Sequence, residues 1–300
     1  MSNRAIIITG PTASGKSDFA HRLALRINGA IINCDSVQIY AGIENISASP
    51  FSCAKEAESE QIEGVPYKLF SILPLKEHIS VSDYLILARK AMDEVIAMGK
   101  TPIFVGGTGY YINVLLNGIS SVPEVSSENR ARAREMVKQD IVAARNLLPK
   151  DFDKTDPQRV ARALEVFLET GKSLTDWQKL PRTGALVPDA YKILVLPDRD
   201  VLLQRIAKRI PEMVQGGALR EAENIIANNF DETRAIGAEQ LCKMLRGEIS
   251  EKEAVENWTI KTNQYAKRQR TWFRGQYKAD FVINHVPNEA DIKTAMDKIA

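Results

Sequence analysis

The sequence predicts an α/β fold in which helices cover both faces of a parallel sheet, with an all-helical insertion in the middle of the chain. Short apolar runs alternate with amphipathic helical segments, an order that is typical of parallel sheets. The alternation stops near Val122, and from Ser126 to Thr175 the chain is charged and shows no strand pattern. The 300 residues, of which 44% are hydrophobic, are enough for a core domain and a smaller second domain.

In the first half of the chain, short apolar runs predict buried strands. Lys16–Ile27 has apolar residues at helical spacing and predicts a helix. Ser80, with Asp83 three positions later, predicts the start of a second helix that reaches Met98. The segment 41–65 is polar and irregular. The strands predicted here are Ala5–Thr9, Ala30–Asn33, Tyr67–Ile72 and Pro102–Val105.

In the insertion, Asp156 followed by Pro157 predicts the start of a helix, and Gly171 predicts its end. The strand pattern then returns, so the insertion interrupts one domain rather than replacing it. After a linker at Pro181–Pro188, the predicted elements are strands at Tyr191–Leu196 and Phe281–Asn284, with helices between them up to Gln276. The predicted domains are a core of residues 1–117 and 189–300 and an insertion of residues 118–188.

Composition restricts the class of protein less than it first suggests. Forty Lys and Arg against thirty-eight Asp and Glu leave a net charge of +2, which gives no global reason to expect a polyanionic partner. Charge can still be concentrated locally. No signal-peptide pattern and no run of about 20 apolar residues is present, so we expect a cytoplasmic protein without a membrane partner. Cys34, Cys53 and Cys242 form no CxxC pair, which disfavours a zinc ribbon or a disulfide framework.

A glycine-rich loop between the first strand and the first helix carries the clearest chemical signal. It matches GxxxxGK[ST], and its context of strand before and helix after is that of a P-loop NTPase-like fold. Such a loop points backbone N–H groups at a phosphate, while Lys16 reaches a terminal phosphate and the Ser17 hydroxyl ligates Mg²⁺. The motif therefore predicts a bound di- or triphosphate and a Mg²⁺ cofactor. Its residues are Gly10, Pro11, Thr12, Ala13, Ser14, Gly15, Lys16 and Ser17.

The usual partners of a phosphoryl-transfer loop are missing from the next strands. A kinase is expected to supply a second metal-holding Asp after an apolar strand, a lid arginine, or both. The strand at 103–105 instead ends in Gly106-Gly107-Thr108, and Asp35 is the only strand-terminal Asp near the loop. At the carboxyl end of a parallel strand, Asp35 is placed to hold Mg²⁺ through water or to act as a general base. The alternative role for this carboxylate is to cap the following turn.

Further motifs, in a fixed order along the chain, resemble the tRNA dimethylallyltransferases, the IPP transferase family in its bacterial form. Asp35–Tyr40 reads DSxQxY and Val105–Tyr111 reads VGGTGxY. The P-loop alone is shared by many enzymes, whereas this combination is highly specific. The resemblance continues through Asp156–Val166, through Arg205, Arg209, Met213, Gly217 and Glu221, and through Tyr265–Arg274.

The resemblance implies a reaction and a role for each motif. In this family, a dimethylallyl group moves from dimethylallyl diphosphate to the N6 amine of the adenosine on the 3′ side of the anticodon (position 37) of tRNAs that read codons beginning with U. The P-loop then holds the diphosphate of the prenyl donor. Asp35 is implied as the general base, Thr108 as a hydrogen-bond donor near the reaction centre, and Arg209 as a cation for the leaving diphosphate. Ser36 and Gln38 are implied to line the pocket of the flipped adenine.

Two of these implied roles have structural alternatives. Without the resemblance, Arg209 is best explained as a solvated arginine on a helix face, since arginines are mostly exposed. Thr108 is equally able to cap the turn beside Gly107. Both alternatives stay open on the sequence alone.

A basic stretch near the C-terminus predicts an RNA contact. Residues 261–278 hold six Lys or Arg, no acidic residue and four interleaved aromatics, a pattern that suits phosphates and unstacked bases. The alternative is an amphipathic helix with its aromatics in the core. The predicted tRNA contacts, counting those implied by the resemblance, are Asp35, Ser36, Val37, Gln38, Thr108, Arg130, Gln158, Arg159, Val160, Ala161, Arg162, Lys267, Arg268, Arg270 and Arg274.

Residues 44–49, 67–71 and 238–239 depart from the family pattern, which predicts altered peripheral contacts with tRNA. Ala238 and Glu239 stand where the family has an aromatic residue and a lysine. Two other functions remain open, a P-loop small-molecule kinase and a nucleotide-gated RNA-binding protein without catalysis. No obligate protein partner is expected, so we predict a monomer.

Overall fold

The computed structural model describes residues 4–51, 61–150 and 152–299, and these divide into two compact units. The first unit comprises the chain up to Leu116 and from Leu186 onward, and the second comprises Asn117–Ala185. The second unit therefore starts at 117 rather than at the predicted 118, and ends at 185 rather than at 188. Cys53 and residues 52–60 of the predicted irregular segment lie outside the described residues.

A seven-stranded sheet forms the centre of the first unit. Its strand order is β3-β4-β2-β5-β1-β8-β9, and every neighbouring pair is parallel except the antiparallel pair β3 and β4. In the second unit, β6 and β7 form a short antiparallel pair. The strands are β1 (Ile6–Thr9), β2 (Gly29–Asn33), β3 (Gln61–Ile62), β4 (Val65–Lys68), β5 (Thr101–Gly106), β6 (Ile119–Ser120), β7 (Arg182–Thr183), β8 (Tyr191–Val195) and β9 (Phe281–Ile283).

Helices account for most of the rest of the chain. A π-helical turn at Val214–Ala218 links the eighth and ninth helices. The helices are α1 (Lys16–Ile27), α2 (Val81–Ala97), α3 (Gly109–Asn117), α4 (Ser127–Gln139), α5 (Ile141–Asn146), α6 (Pro157–Thr170), α7 (Leu174–Lys179), α8 (Arg199–Met213), α9 (Leu219–Ala227), α10 (Ala238–Leu245), α11 (Glu251–Gln276) and α12 (Glu289–Ile299).

Both faces of the sheet are buried, as expected for parallel strands between helices. On β1, Ile7 belongs to one apolar cluster while Ile6 and Ile8 belong to another, because successive side chains point to opposite faces. The second unit has its own small core around Ala133, Val160 and Leu164. The predicted α/β fold with a mostly parallel sheet is confirmed.

Local sequence signals place several helix ends where they were predicted. Ser80 accepts a hydrogen bond from the backbone of Asp83, whose carboxylate accepts one from the backbone of Ser80, so α2 begins with a capping box. Asp156 caps α6 with Pro157 at its first position, and Gly171 ends that helix in the left-handed conformation. These caps need no tertiary contact, which is why the sequence predicts them.

Three predicted features differ in the structure. The third predicted strand, Tyr67–Ile72, ends at Lys68, because Leu69 and Ser71 take left-handed φ angles of 66° and 51° that no strand continues through. The predicted linker contains β7, which pairs with β6, so the insertion is not all-helical as predicted. Helix α12 follows the last predicted strand, where the sequence pattern predicts no element.

The predictions about membrane spans and cysteines can be compared with the structure only at the described residues. Among the residues that the structure describes, no helix is both long and apolar enough to span a membrane. Cys34 and Cys242 are free thiols buried in the first unit.

Candidate active site

A cavity of about 730 Å³ lies beside the segments that follow β1 and β2. Ligand sites in parallel sheets form outside the carboxyl ends of the strands, where loops from neighbouring strands converge. Two pieces of the predicted site, the glycine-rich loop and the Asp35 segment, therefore meet here. The predicted site residues that line the cavity are Thr12, Ala13, Ser14, Gly15, Lys16, Ser17, Asp35, Ser36, Val37, Gln38, Arg209 and Arg268.

The glycine-rich loop turns tightly between β1 and α1. Gly15 has a φ of 93° and leads directly into α1 at Lys16, while Ala13 also takes a left-handed φ, of 62°. Gly10 admits no side chain, since an added Cβ would lie 2.2 Å from the carbonyl oxygen of Val195 on β8. Gly10 and Pro11 are not among the residues that line the cavity.

Cations dominate the cavity around this loop. Burial lowers the pKa of Lys16 to about 8, and the nearby charge of Asp35 acts against that lowering. Burial and the neighbouring Arg205 lower the pKa of Arg209 to about 10. Six Lys and Arg side chains line the cavity against three carboxylates, so an anionic ligand is favoured. They are Lys16, Arg205, Lys208, Arg209, Arg234 and Arg268 against Asp18, Asp35 and Glu212.

Two arginines of α8 bind the loop directly. Arg209 Nη2 donates to the Thr12 hydroxyl over 2.8 Å, and Arg205 Nε donates to the Ala13 carbonyl over 2.8 Å. Arg209 is half-buried, and its Nε is buried without a partner among the described residues. The alternative of a solvated helix-face arginine is therefore wrong for Arg209, because its side chain turns inward onto the loop.

The Asp35 segment is held by its own neighbours. Asn33 Oδ1 accepts from the backbone N–H of Asp35 over 2.8 Å, and Asn33 Nδ2 donates to the Asp35 carbonyl over 3.0 Å. Tyr84 anchors Asn33 in turn by donating to its carbonyl over 3.0 Å. One Asp35 carboxylate oxygen accepts from the N–H of Val37 over 2.9 Å, so the capping role exists, and the other oxygen stays available to a ligand.

Thr108 lies beside this segment without lining the cavity. Its hydroxyl oxygen accepts from the backbone N–H of Ser36 over 3.0 Å and its O–H approaches the Ser36 hydroxyl at 3.3 Å. Gln38 lines the cavity but directs its Nε2 to the carbonyl oxygens of Ser47 and Ala48, at 3.1 and 2.9 Å. The Gln38 amide thereby fixes the position of the 44–49 segment, one of the departures from the family pattern.

Helix α11 divides its predicted RNA-binding residues between two faces. Phe273 is buried at 1% exposure and Tyr277 at 9%, and Trp272 packs edge-on against Phe273. Phe273 and Tyr277 are core residues and Trp272 is half-buried against them, so these three rings fit the alternative of an amphipathic helix that packs its aromatics inward. Lys267 and Arg274 are exposed away from the cavity, whereas Arg268 lines it and Arg270 donates to the carbonyl of Pro197.

The predicted contacts in the second unit lie on α4 and α6. Arg130, Gln158 and Arg159 are exposed, and Ala161 is half-buried. The side chain of Val160 is fully buried in that unit's core and is not available to RNA. Arg162 is exposed but pairs with the buried carboxylate of Glu165 at 3.1 Å, which Arg134 also approaches at 3.3 Å.

Sequence reasoning missed three residues at the site, Gln269, Glu221 and Arg234, and it took Tyr265 only as one of the aromatics suited to RNA. Tyr265 and Gln269 of α11 line the cavity, and burial raises the pKa of the Tyr265 phenol. Glu221 accepts hydrogen bonds from the backbone of Asn45 and Ile46 and from the Asn45 side chain, at 2.7 to 2.8 Å, and so holds the 44–49 segment from outside. Arg234 stacks over the ring of Tyr40 at 4.4 Å. Glu221, Tyr265 and Gln269 belong to the family motifs described above, but the spacing of those motifs does not predict these contacts.

The residues present are compatible with Mg²⁺ bound together with an anionic substrate. Ser17 and Asp35 line both the large cavity and a neighbouring one of about 30 Å³. The described residues contain no group of three or more His, Cys, Asp or Glu that forms a metal cage. Mg²⁺ commonly uses one or two protein oxygens together with water and substrate phosphates, so one hydroxyl and one carboxylate suffice.

Comparison with known proteins gives a consistent result. The IPP transferase family model matches residues 38–276. A tRNA dimethylallyltransferase of Rhizobium johnstonii is 38% identical over 287 residues, covering 91% of this chain and 94% of that protein. A tRNA dimethylallyltransferase of Rhodospirillum rubrum is 40% identical over 292 residues, covering 93% of this chain and 87% of that protein.

Solved structures agree. The tRNA isopentenylpyrophosphate transferase of Bacillus halodurans aligns with a TM-score of 0.67 and 28% identity, covering 99% of this chain and 96% of that one. A eukaryotic dimethylallyltransferase that acts on tRNA aligns with a TM-score of 0.75 and 25% identity, covering 100% of this chain and 78% of that one. The alternative of a small-molecule kinase is not favoured by these matches. Because the family model and these relatives match most of its length, the chain belongs to the IPP transferase family of transferases.

Proposed function

We propose that this protein transfers the dimethylallyl group of dimethylallyl diphosphate to N6 of the adenosine at position 37 of tRNAs that read codons beginning with U. The observation that carries the proposal is the meeting of a cationic loop and the Asp35 carboxylate in one cavity. The relatives bear the name of this activity, and a structural neighbour acts on tRNA. A donor diphosphate and an acceptor amine need such a cavity.

The cationic side of the cavity suits the leaving group. As the bond between C1 of the dimethylallyl group and the diphosphate oxygen breaks, negative charge gathers on the diphosphate. Lys16 and Arg209, both partly desolvated, stabilise that charge more strongly than they would in water. Arg205 adds a third positive charge on the same helix face as Arg209. Mg²⁺ held at Ser17 would neutralise part of the same charge when bound.

The carboxylate side suits the acceptor. The new bond forms between adenine N6 and C1, and the amine gives up one proton, which Asp35 accepts at its free carboxylate oxygen. Thr108 holds the backbone of Ser36 and thereby the Asp35 segment, and its proposed donation to a substrate oxygen would replace the contact of its O–H with the Ser36 hydroxyl. Gln38 and Glu221 fix the wall at 44–49 that faces the adenine.

Exposed cations suit the tRNA backbone. Lys267 and Arg274 are exposed on α11, together with Arg268 at the cavity wall, and Arg130, Gln158, Arg159 and Arg162 are exposed in the second unit. Phosphate contacts position a nucleic acid without reading its sequence. The net charge of +2 therefore conceals local positive charge in each of the two units.

The direct test is a transfer assay. The purified protein is incubated with Mg²⁺, labelled dimethylallyl diphosphate and unmodified tRNA with adenosine at position 37, and a tRNA with guanosine at that position serves as the control. We expect label in the first tRNA and none in the second. Phosphoryl transfer from ATP to a small acceptor without prenyl transfer would overturn the proposal, and so would tRNA binding without any transfer.

A further inference from the structure

One side chain of α11 joins the glycine-rich loop to the turn that follows β5. Gln269 Oε1 accepts from the backbone N–H of Thr12 over 2.8 Å, and Gln269 Nε2 donates to the carbonyl of Gly107 over 2.9 Å. Thr12 belongs to the glycine-rich loop, and Gly107 immediately precedes Thr108. A single amide thus fixes the loop beside the diphosphate and the turn beside the acceptor.

The surroundings leave this amide little freedom. Gln269 is 7% exposed, and a Cβ added to Gly107 would lie 2.4 Å from Gln269 Nε2. Both polar atoms of the side chain have partners, so a buried apolar replacement would leave two backbone groups unpaired. Any side chain at position 107 would therefore collide with the Gln269 amide, and only glycine leaves room for it.

The contact with Thr12 matters because the next residue of the loop has a strained backbone. Ala13 holds a φ of 62°, a conformation that residues with side chains rarely adopt and that surrounding contacts must maintain. Gln269 holds Thr12 by its N–H, while Arg209 holds it by its hydroxyl. Without the first contact, the side-chain hydrogen bonds that remain to Thr12 and Ala13 are those of Arg209 and Arg205, and we expect the loop to be held less firmly.

The same helix carries the exposed cations on its other side. Lys267, two positions before Gln269, and Arg274, five positions after it, are exposed away from the cavity, whereas Arg268 lines it. A helix moves as a unit over such a distance, so RNA that fixes the exposed side also fixes the amide on the buried side. The reverse holds as well, because coupling between two binding events is reciprocal.

From this geometry we infer that Gln269 is a positioning residue that couples tRNA binding on α11 to diphosphate binding in the glycine-rich loop. The inference rests on the proposed function, and it adds a specific consequence. Each ligand stabilises the arrangement in which the amide spans Thr12 and Gly107. Bound tRNA should therefore tighten the binding of diphosphate, and bound diphosphate should tighten the binding of tRNA.

The test measures the dissociation constant of inorganic diphosphate, with Mg²⁺, in the presence and absence of saturating tRNA. For the unmodified protein we expect tRNA to tighten diphosphate binding about fivefold or more, as measured couplings commonly do. In Gln269→Met, which keeps the length but has no polar atoms, the two constants should agree. The KM for dimethylallyl diphosphate should rise about tenfold, the cost of a lost buried hydrogen-bond pair. The dissociation constant of tRNA alone should not change.

Two further variants separate positioning from general stability. Gln264→Met makes the same replacement at an exposed position of α11 and should keep the coupling. Gln269→Asn keeps the amide but is too short to span both partners, so it should lose the coupling even if Gln269→Met does not fold. A thermal melt of each variant shows whether an effect follows loss of folding.

The outcomes separate this inference from the proposed function. If the unmodified protein transfers no label, the proposed function fails. If it transfers label but tRNA leaves the diphosphate constant unchanged, only the coupling is wrong. Retention of the full coupling in both Gln269 variants would also overturn it.

Discussion

Arg209 donates from Nη2 to the hydroxyl of Thr12 over 2.8 Å, although the two residues are 197 positions apart in the chain. The contact brings α8 against the loop that follows β1 and places a partly desolvated guanidinium on the cavity wall. Arg209 Nε has no partner among the described residues. The side chain therefore keeps hydrogen-bonding capacity for a ligand anion.

Replacement of this arginine should affect the chemistry more than the binding of tRNA. For Arg209→Met we expect kcat to fall about 100- to 1,000-fold, the range seen when one donor to a developing anion is removed. The tRNA dissociation constant should stay within about threefold, a change smaller than one hydrogen bond. Arg199→Met, at the exposed start of α8, is the control. A turnover near that of the control would remove Arg209 from the leaving-group site.

Asp35 should be needed for turnover and dispensable for binding. Asp35→Asn keeps an oxygen for the Val37 N–H but cannot accept a proton, so kcat should fall about 100-fold or more, as for loss of a general base. Binding of tRNA, measured by filter retention, should be unchanged. Asp18→Asn removes another carboxylate from the same cavity and should leave kcat within about twofold, as for a surface change. Near-normal turnover of Asp35→Asn would show that another group takes the proton.

The lowered pKa of Lys16 predicts a pH-dependent effect on stability. Its pKa is about 8 in the folded protein and 10.5 in an ordinary lysine, so between these values the unfolded chain holds more protons. The free energy of unfolding therefore rises with pH across this interval, and below it the charged lysine is held at a cost. At pH 7, Lys16→Met should be more stable by about 1–3 kcal/mol, and the gain should vanish above pH 10.5.

Urea unfolding of both proteins at several pH values checks this prediction. Lys208→Met, an exposed lysine on the wall of the same cavity, should show no such pH-dependent gain. If Lys16→Met is less stable than the unmodified protein at pH 7, the charged lysine is not destabilising and the prediction fails. Donor binding should be lost in either case, since the cation is absent.

The negative charge of Glu239 should weaken tRNA binding, because it pairs with Lys243 on α10 and Lys261 on α11. Its carboxylate lies 2.8 Å from Lys243 Nζ and 2.7 Å from Lys261 Nζ, and these contacts lower its pKa to about 2. It is ionised at neutral pH and neutralises cations near the proposed tRNA surface. Glu239→Gln should tighten tRNA binding at low salt and steepen the salt dependence of the logarithm of the association constant by up to about one unit. Titrations at several salt concentrations measure this, with Glu256→Gln, at an exposed position of α11, as the control. An unchanged slope would exclude Lys243 and Lys261 from the tRNA surface.

Substitutions of Phe273 and Arg274, which are neighbours on α11, should affect different properties, the first stability and the second tRNA binding. Phe273→Ala should lower the free energy of unfolding by about 3–5 kcal/mol, since it removes a buried aromatic ring. Arg274→Gln should leave stability within about 0.5 kcal/mol, as for an exposed residue. It should weaken tRNA binding and reduce the salt slope by about one unit. If Phe273→Ala folds fully and still binds tRNA more weakly, Phe273 contacts RNA and its assignment as a core residue alone is wrong.

Much of the fold is encoded locally. The strand and helix patterns around Ile7 and Phe19 predict β1 and α1 closely, and the caps at Ser80 and Asp156 fix the starts of α2 and α6. The short pair β6 and β7 escapes prediction because each strand has only two residues and exists through the other. The end of β4 is not predicted either, because leucine rarely takes a left-handed φ and nothing in the sequence indicates that Leu69 does so.

The sequence by itself determined the glycine-rich loop, the Asp35 segment and the family, because these depend on residue types at fixed short spacing. Only the tertiary structure decided that Arg209 turns inward, that Phe273 is a core residue while Tyr265 lines the cavity, and that Gln269 joins Thr12 to Gly107. Helical periodicity shows which residues share a face, but the direction of that face depends on packing between elements far apart in the chain. Burial and long-range hydrogen bonds, which fix the chemistry of a charged side chain, therefore appear only once the chain has folded.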